Sequence, residues 1–121
     1  MKDFRDLKVW ERAHQLVLRV YDQTRPFPKE ELYGLTSQLR RAAASVPTNI
    51  AEGCGRGTDP DFARFLQMAM GSASETDYLL LLCKDLGYLS EAEYVPLLAA
   101  ATEVKRMLAG LLAKVRIDVQ G

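Results

Sequence analysis

Apolar residues recur along much of the chain at steps of three and four, the spacing that places side chains on one face of an α-helix. The first segment with this pattern runs from about Asp6 to Thr24, and its apolar face contains Leu7, Trp10, Ala13, Val17 and Val20. Two prolines follow within the next four residues, and residues before proline avoid helical backbone angles. The pattern therefore predicts an amphipathic helix over residues 6–24.

A second helix is expected to begin near residues 29–32 and to run into a glycine-rich stretch at residues 53–57. Its apolar positions are Leu35, Leu39, Ala42, Val46 and Ile50. Pro47 lies inside this run, where a proline removes a backbone donor and usually kinks or ends a helix. The three alternate glycines of the stretch supply the backbone freedom that a helix terminus needs. We therefore expect a kink at Pro47 and a helix end among the glycines.

The start of a third helix is indicated by Thr58-Asp59-Pro60. Asp59 can accept hydrogen bonds from free N–H groups, and Pro60 suits the first helical position. The apolar face that follows contains Phe62, Phe65, Leu66, Ala69, Ala73, Leu80 and Cys83. This helix is expected to end at Gly87.

A fourth helix is predicted by Ser90-Glu91-Ala92-Glu93, which matches a capping box. Its apolar positions alternate four and three apart, as in a coiled-coil-like seam, and are Leu97, Ala101, Val104, Leu108, Leu111 and Val115. Pro96 lies in its first two turns, so a kink is expected there.

These elements together predict the fold. No stretch alternates with a period of two, so no β-strand is expected. Helices of roughly 18–28 residues joined by short loops predict an all-α fold, an antiparallel up-down-up-down four-helix bundle. The 121-residue chain fits a single domain, residues 1–121, that can close a hydrophobic core without metals or disulfides.

The third and fourth helices carry more apolar residues than one core face requires. Residues 78–83 are apolar on every face for nearly two turns. A helix that is apolar all round must be buried all round, so we expect a self-association surface around Met68, Leu79, Leu82 and Met107. The alternative is a wide core stripe with scattered exposed leucines, which are normal on protein surfaces.

Charge is balanced, with 16 Lys and Arg against 16 Asp and Glu, which weakens a non-specific nucleic-acid role. Residues 1–25 carry six basic and four acidic side chains, whereas residues 58–89 carry two and five. This mild complementarity suits helices that are neighbours. The basic doublet Arg40-Arg41 is a candidate for phosphate contacts, although a solvated helix face is the commoner explanation.

Metal and membrane roles are not expected. The chain has two distant cysteines, Cys54 and Cys83, and one histidine, His14, whereas a structural zinc site needs four nitrogen or sulfur ligands. We therefore expect no metal, no cofactor and free thiols in a reducing compartment. The N-terminal residues contain no apolar signal core, and the longest apolar run is too short to span a bilayer. These features predict a soluble, cytoplasmic protein without a membrane partner.

No catalytic residue is assigned. Glu52 and Glu75 are carboxylates within otherwise apolar helices, and in an enzyme one of them would act as a general base. The alternative, which we favour, is an ion-pair network at a helix junction. The serines and Cys54 have no histidine at a recognisable spacing. The glycine-rich stretch follows a helix and lacks the Gly-Lys-Ser/Thr ending of a phosphate loop.

The stretch around Pro47 is predicted to be a structural motif that comprises Pro47, Asn49, Glu52, Gly53, Gly55 and Arg56. Asn49, Glu52 and Arg56 lie about one helical turn apart on one face. We expect the Asn49 amide to serve the carbonyl near Ala43 that Pro47 leaves without a donor. Glu52 and Arg56 are expected to pair, with Arg64 or Glu75 completing the network, so Glu52→Ala should lower the melting temperature.

Four blocks of the sequence resemble the 23S rRNA intervening-sequence-encoded protein family, also called the S23-type family. They are Phe4-x-x-Leu7-x-Val9-Trp10-x-x-Ala13, Leu39-Arg40-Arg41-Ala42, Ser45-Val46-Pro47-Thr48-Asn49-Ile50-Ala51-Glu52-Gly53-x-Gly55-Arg56 and Phe62-x-x-Phe65-Leu66-x-x-Ala69-x-Gly71-Ser72. The resemblance implies a four-helix bundle that assembles into a ring-like homopentamer. A similar protein, the accessory protein of diversity-generating retroelements, assists a reverse transcriptase and is strongly basic. The family supplies no catalytic residues.

Two functional hypotheses follow. The first is a non-enzymatic oligomeric scaffold or binding module whose partner is itself, as a homo-oligomer of five chains. The alternative is an RNA- or ribonucleoprotein-associated factor, of the rRNA intervening-sequence or reverse-transcriptase accessory type. An enzyme is a distant third.

Overall fold

The computed structural model describes the backbone of residues 2–120 and the side chains of residues 2–118. Within this range the chain is helical and forms no strand. Its α-helices are α1 (Lys8–Thr24), α2 (Ser37–Cys54), α3 (Asp59–Asp85) and α4 (Glu91–Gln120), and a 3-10 turn, Phe4–Asp6, precedes α1. This order agrees with the predicted helices.

Each helix packs against two others. α1 contacts α2 and α4, and α3 contacts the same two helices from the opposite corner. The Arg116 guanidinium donates to Gln67 at 2.6 Å and the Lys105 ammonium to Asp77 at 3.2 Å, so residue numbers rise along α3 as they fall along α4. The chain is therefore a four-helix bundle with antiparallel successive helices, as predicted.

α1 and α3 lie diagonally in this bundle, which corrects one expectation. The basic first segment and the acidic third segment were predicted to be neighbouring helices, but α2 and α4 separate them. Among the described residues no ion pair joins these two segments, although the Lys2 ammonium lies 4.9 Å from the ring centroid of Phe62.

The connection between α1 and α2 is less regular than the sequence predicts. A 3-10 turn, Lys29–Glu31, leads into a π turn, Leu32–Thr36, in which Gly34 has non-helical backbone angles. The Glu31 carboxylate accepts a hydrogen bond from the Leu35 N–H at 3.1 Å and another from the Tyr88 hydroxyl at 2.9 Å. This connection is thereby tied to the turn between α3 and α4.

The ends of α3 and α4 follow the predicted signals, with one shift. Thr58, and not Asp59, caps α3, and its hydroxyl accepts from the Asp61 N–H at 3.4 Å. Gly87 ends the helix with φ +83°, where its N–H donates to the Lys84 carbonyl. The capping box of α4 is confirmed.

The core contains most of the predicted apolar positions, including every one assigned to the third helix. On α1, however, Val9 is buried although the pattern did not include it, while Trp10 and Val17 are half-buried at the edge. On α4 the buried residue is Leu112, where the pattern favoured its neighbour. Helical spacing identifies the centre of an apolar face. Large apolar side chains at the edge of the face displace the predicted centre from the observed one.

Neither internal proline ends its helix. α2 continues through Pro47 and α4 through Pro96. A proline removes one backbone hydrogen bond, and the packing of both helices against two neighbours maintains the helical path around that gap.

Candidate functional site

At the glycine-rich end of α2, Gly53 lies directly against α3. A Cβ atom built on Gly53 would lie 2.9 Å from the Cβ atom of Phe65 and 3.0 Å from a ring carbon of Phe62. Gly55 has ordinary right-handed helical angles, and only Gly57 of the three has a positive φ, at +85°. Gly53 therefore serves helix packing, whereas Gly57 serves the turn.

The predicted role of Asn49 is wrong in detail. Its side-chain amide donates to the Ser45 carbonyl at 2.8 Å, one helical turn back. The Ala43 carbonyl lies two residues further away along the helix, beyond the reach of a side chain that bonds four residues back. Asn49 supports the helix next to the proline without serving the freed carbonyl itself.

The predicted ion-pair network around Glu52 is also wrong. Among the described residues, neither Glu52 nor Glu75 makes an ion pair, and both are exposed. Arg56 and Arg64 instead place their guanidinium carbons 4.8 Å and 4.6 Å from the ring centroid of Phe65. An aromatic ring attracts cations at such distances, which a charge-pairing pattern does not indicate.

These positions also remove the basis of the general-base hypothesis. Exposed carboxylates lack the buried surroundings that a catalytic base requires. Arg64, a predicted partner of this network, lies instead 3.7 Å from the Asp61 carboxylate on the surface.

The four predicted interface residues do not share one environment. Met68 is 47% exposed, whereas Leu79 is only 2% exposed and belongs to the core. Leu82 and Met107 are half-buried and pack against the core. Leu79 is thus corrected to a core residue, because α3 packs between α2 and α4 and its buried face is wider than one stripe.

Other exposed apolar side chains do accompany Met68 along α3. Tyr78 and Leu86 are more than half exposed, and with Leu82 they fall on one side of the helix at helical spacing. We refer to Met68, Tyr78, Leu82 and Leu86 as the α3 stripe.

A second apolar surface, absent from the sequence-based predictions, is an open groove between α1 and α2. Its volume is about 400 Å³, and it is lined by Phe4, Trp10, His14, Val17, Ala44, Pro47, Thr48 and Ala51. The Trp10 ring stacks on His14 with centroids 5.0 Å apart and meets Phe4 at 4.7 Å. We refer to these residues as the α1–α2 groove. No local pattern indicated it, because its walls come from two separate helices.

The structure places the two arginines of the basic doublet Arg40-Arg41 in different surroundings. The Nε group of Arg40 donates to the Thr24 hydroxyl at 2.8 Å, and Nη2 donates to the Tyr21 carbonyl at 3.4 Å. Arg41 is exposed. The two side chains therefore differ in their surroundings, and phosphate contact by this doublet stays a prediction.

Both cysteines are free and buried. Burial, together with the smaller effect of the nearby Glu31 carboxylate, raises the pKa of the Cys83 thiol to about 11. Burial also raises the pKa of Cys54, against a smaller lowering by Lys2. Since the thiolate is the reactive form, neither thiol is suited to be a nucleophile at neutral pH.

Two further features are absent from the described residues. No group of three or more His, Cys, Asp and Glu side chains could hold a metal ion. None of the described helices combines the length and the hydropathy needed to cross a bilayer.

Comparisons with known proteins agree with the resemblance seen in the sequence. The model of the family described as 23S rRNA-intervening sequence protein matches residues 5–110. No curated protein matches the chain significantly. A similar solved structure is described as a protein with unknown function from the S23 ribosomal protein family from Bacteroides thetaiotaomicron VPI-5482.

That structure superposes with a TM-score of 0.80 and is 22% identical in sequence, over 87% of this chain and 95% of the other. At this identity the likeness shows the fold alone. The family model, by contrast, covers most of the chain and includes the glycine-rich motif. The chain therefore belongs to the 23S rRNA-intervening sequence protein family.

Proposed function

We propose that the protein is a non-enzymatic homo-oligomeric scaffold in which the α3 stripe of one copy docks in the α1–α2 groove of the next. The observation that carries this proposal is the presence of two separate apolar surfaces on one small chain. Exposed apolar side chains grouped on one side of a soluble domain are typical of an interaction site, and in the α3 stripe the exposed Glu75 lies among them. A helix that carries leucine, methionine and tyrosine is also a suitable occupant of an apolar groove.

Two different surfaces on each copy favour a head-to-tail arrangement. A head-to-tail interface makes a closed ring when the rotation between copies permits it, and an open filament when it does not. The resemblance to the family implies a ring of five copies. We adopt five copies from that resemblance. The two surfaces support only the way in which neighbouring copies touch.

Charge supports the same pairing. The first segment carries a net charge of +2 and the third a net charge of −3, from the counts of basic and acidic residues given above. Because α1 and α3 are diagonal within one bundle, this complementarity can act between copies, where it favours contact of α3 with α1. The net negative charge of the third segment also disfavours packing of α3 on the α3 of another copy.

The alternative of an RNA-associated factor receives less support. The net charge is zero, so the chain as a whole exerts no strong attraction on a polyanion. A mobility-shift experiment with structured RNA over a salt series tests this alternative, because binding through phosphates weakens steeply as salt rises.

Charge insertion tests the scaffold proposal. Met68→Glu alters the α3 stripe and Thr48→Glu alters the groove, and both positions are exposed, so both variants should fold. We expect light scattering to give a mass near 13.6 kDa for each variant, and a larger mass for the unaltered chain. Ile117→Glu is the matched control, since Ile117 is apolar and exposed but belongs to neither surface. Assembly that survives both Met68→Glu and Thr48→Glu contradicts the proposed contact.

A further inference from the structure

A small cavity lies at the connection between α1 and α2, with a volume of about 110 Å³. Its walls include three cationic side chains, Arg25, Lys29 and Arg40, and two threonines, Thr24 and Thr36. The described residues that line it include no carboxylate, although the Arg25 guanidinium lies 3.7 Å from the nearby Asp22 carboxylate on the exposed side. Three positive charges around one small cavity favour an anion.

Thr36 provides a second and independent observation. Its side chain is 3% exposed, and its hydroxyl oxygen has no hydrogen-bond partner within the chain. Buried polar groups are nearly always bonded, and an unsatisfied one costs stability. The adjacent Thr24 hydroxyl, in contrast, donates to the Val20 carbonyl at 2.8 Å and accepts from Arg40. A ligand with acceptor oxygens would supply the partner that Thr36 lacks.

Arg40 is held in a fixed orientation at this cavity. Besides its bonds to Thr24 and the Tyr21 carbonyl, its guanidinium carbon lies 4.6 Å from the centroid of the Tyr21 ring. A guanidinium has five N–H donors, and the two bonds within the chain leave others available. An oriented guanidinium can bind a phosphate or a carboxylate through parallel hydrogen bonds.

We propose that this cavity binds a phosphate group, either as inorganic phosphate or as the terminal phosphate of a small phosphomonoester. A phosphomonoester carries a charge of about −1.5 to −2 at pH 7, which matches three cations better than the single charge of a carboxylate. The cavity exceeds the space that one water needs but admits only a few heavy atoms. The rest of an ester would remain outside, next to the exposed Arg25 and Lys29.

The test uses inorganic phosphate as the probe, against potassium chloride at matched ionic strength and pH. We expect phosphate to raise the melting temperature of the unaltered chain in a saturable manner, because a ligand of the folded state stabilises it. Calorimetric titration should show that Arg25→Gln and Lys29→Gln each raise the Kd for phosphate about tenfold, as expected for loss of a charge-assisted contact. Lys114→Gln, an exposed change at the opposite end of the bundle, should leave the Kd unchanged.

Thr36→Val separates binding from folding. This variant removes the unsatisfied hydroxyl, so it should be at least as stable as the unaltered chain while losing most of its response to phosphate. Thr76→Val is the matched control, since the buried Thr76 hydroxyl donates to the Ser72 carbonyl at 2.8 Å. That control should be less stable and should bind phosphate normally.

A nucleoside monophosphate distinguishes the two sources of phosphate. Tighter binding of the monophosphate than of inorganic phosphate supports an ester as the ligand, and equal or weaker binding supports the free ion. The proposal is overturned if phosphate and chloride act alike on the unaltered chain, or if Thr36→Val and Lys29→Gln retain the full phosphate response. It is also overturned if only an RNA oligonucleotide binds and Thr36→Val does not weaken that binding.

Discussion

Gly53 and Phe65 lie so close that a Cβ atom on the glycine would be 2.9 Å from the Cβ atom of the phenylalanine. The contact sets the distance between α2 and α3 at the end of the bundle where two arginines cover the Phe65 ring. A methyl group at this position must displace one helix or the other, because packed interiors have no room for it. The glycine is therefore required by packing between helices.

The first prediction concerns Gly53→Ala. This substitution should lower the free energy of unfolding by about 1–3 kcal/mol, the usual cost of overpacking a core, even though alanine is the better helix former. Urea denaturation monitored by circular dichroism measures the change. Gly55→Ala is the matched control, since its Cβ atom would meet only backbone oxygens at 3.5 Å or more. Equal stability of the two variants would show that the helices can separate without cost.

The second prediction concerns the capping box of α4. The Ser90 N–H donates to the Glu93 carboxylate at 2.8 Å, and the Glu93 N–H donates to the Ser90 hydroxyl at 3.2 Å. Ser90→Ala should lower the free energy of unfolding by about 0.5–2 kcal/mol, as for other lost helix caps. Ser74→Ala, a change of the same kind at an exposed position inside α3, should not destabilise the protein.

The same capping box predicts a dependence on pH. The bonds from the Ser90 N–H and hydroxyl lower the pKa of Glu93 below its ordinary value. Because the pKa is lower in the folded state, this contribution to stability is complete at neutral pH and is lost as the pH falls through the folded-state value. Melting temperatures measured between about pH 6 and about pH 3 should fall less steeply for Glu93→Gln than for the unaltered chain. Parallel curves would contradict this assignment.

The third prediction reverses the expectation drawn from charge spacing. Since Glu52 is exposed and has no ionic partner among the described residues, Glu52→Ala should change the free energy of unfolding by less than about 0.5 kcal/mol. Phe65→Ala should lower it by about 3–5 kcal/mol, because it removes a buried ring. Thermal unfolding of both variants measures the contrast. A large loss of stability in Glu52→Ala would contradict this prediction and support the ion-pair network around Glu52.

The fold was predictable from the sequence because its signals are local. Helical spacing, the Ser90–Glu93 box and the stop at Gly87 each involve residues within one or two turns, and the structure places them as expected. The cap of α3 is Thr58, one residue before the predicted Asp59. The π turn at Leu32–Thr36 follows the predicted start of the second helix and delays α2. In both places neighbouring residues compete for the same role.

The site was less predictable because its features depend on contacts between helices. No local pattern reveals that Gly53 faces Phe65, or that Arg40 turns towards Thr24. Leu79 was placed on the surface because spacing gives the centre of an apolar face and not its width. The α1–α2 groove and the unsatisfied hydroxyl of Thr36 arise only once distant segments are packed together.

The central claim is that copies of this chain assemble head to tail, and sedimentation equilibrium of the unaltered protein tests it most directly. At micromolar concentration we expect one species of about 68 kDa, five times the 13.6 kDa of a single chain. A stable trimer or hexamer would retain self-association and change the number of copies, whereas a dimer would favour a two-fold contact over the head-to-tail one. A single species of 13.6 kDa over the micromolar range would contradict the account.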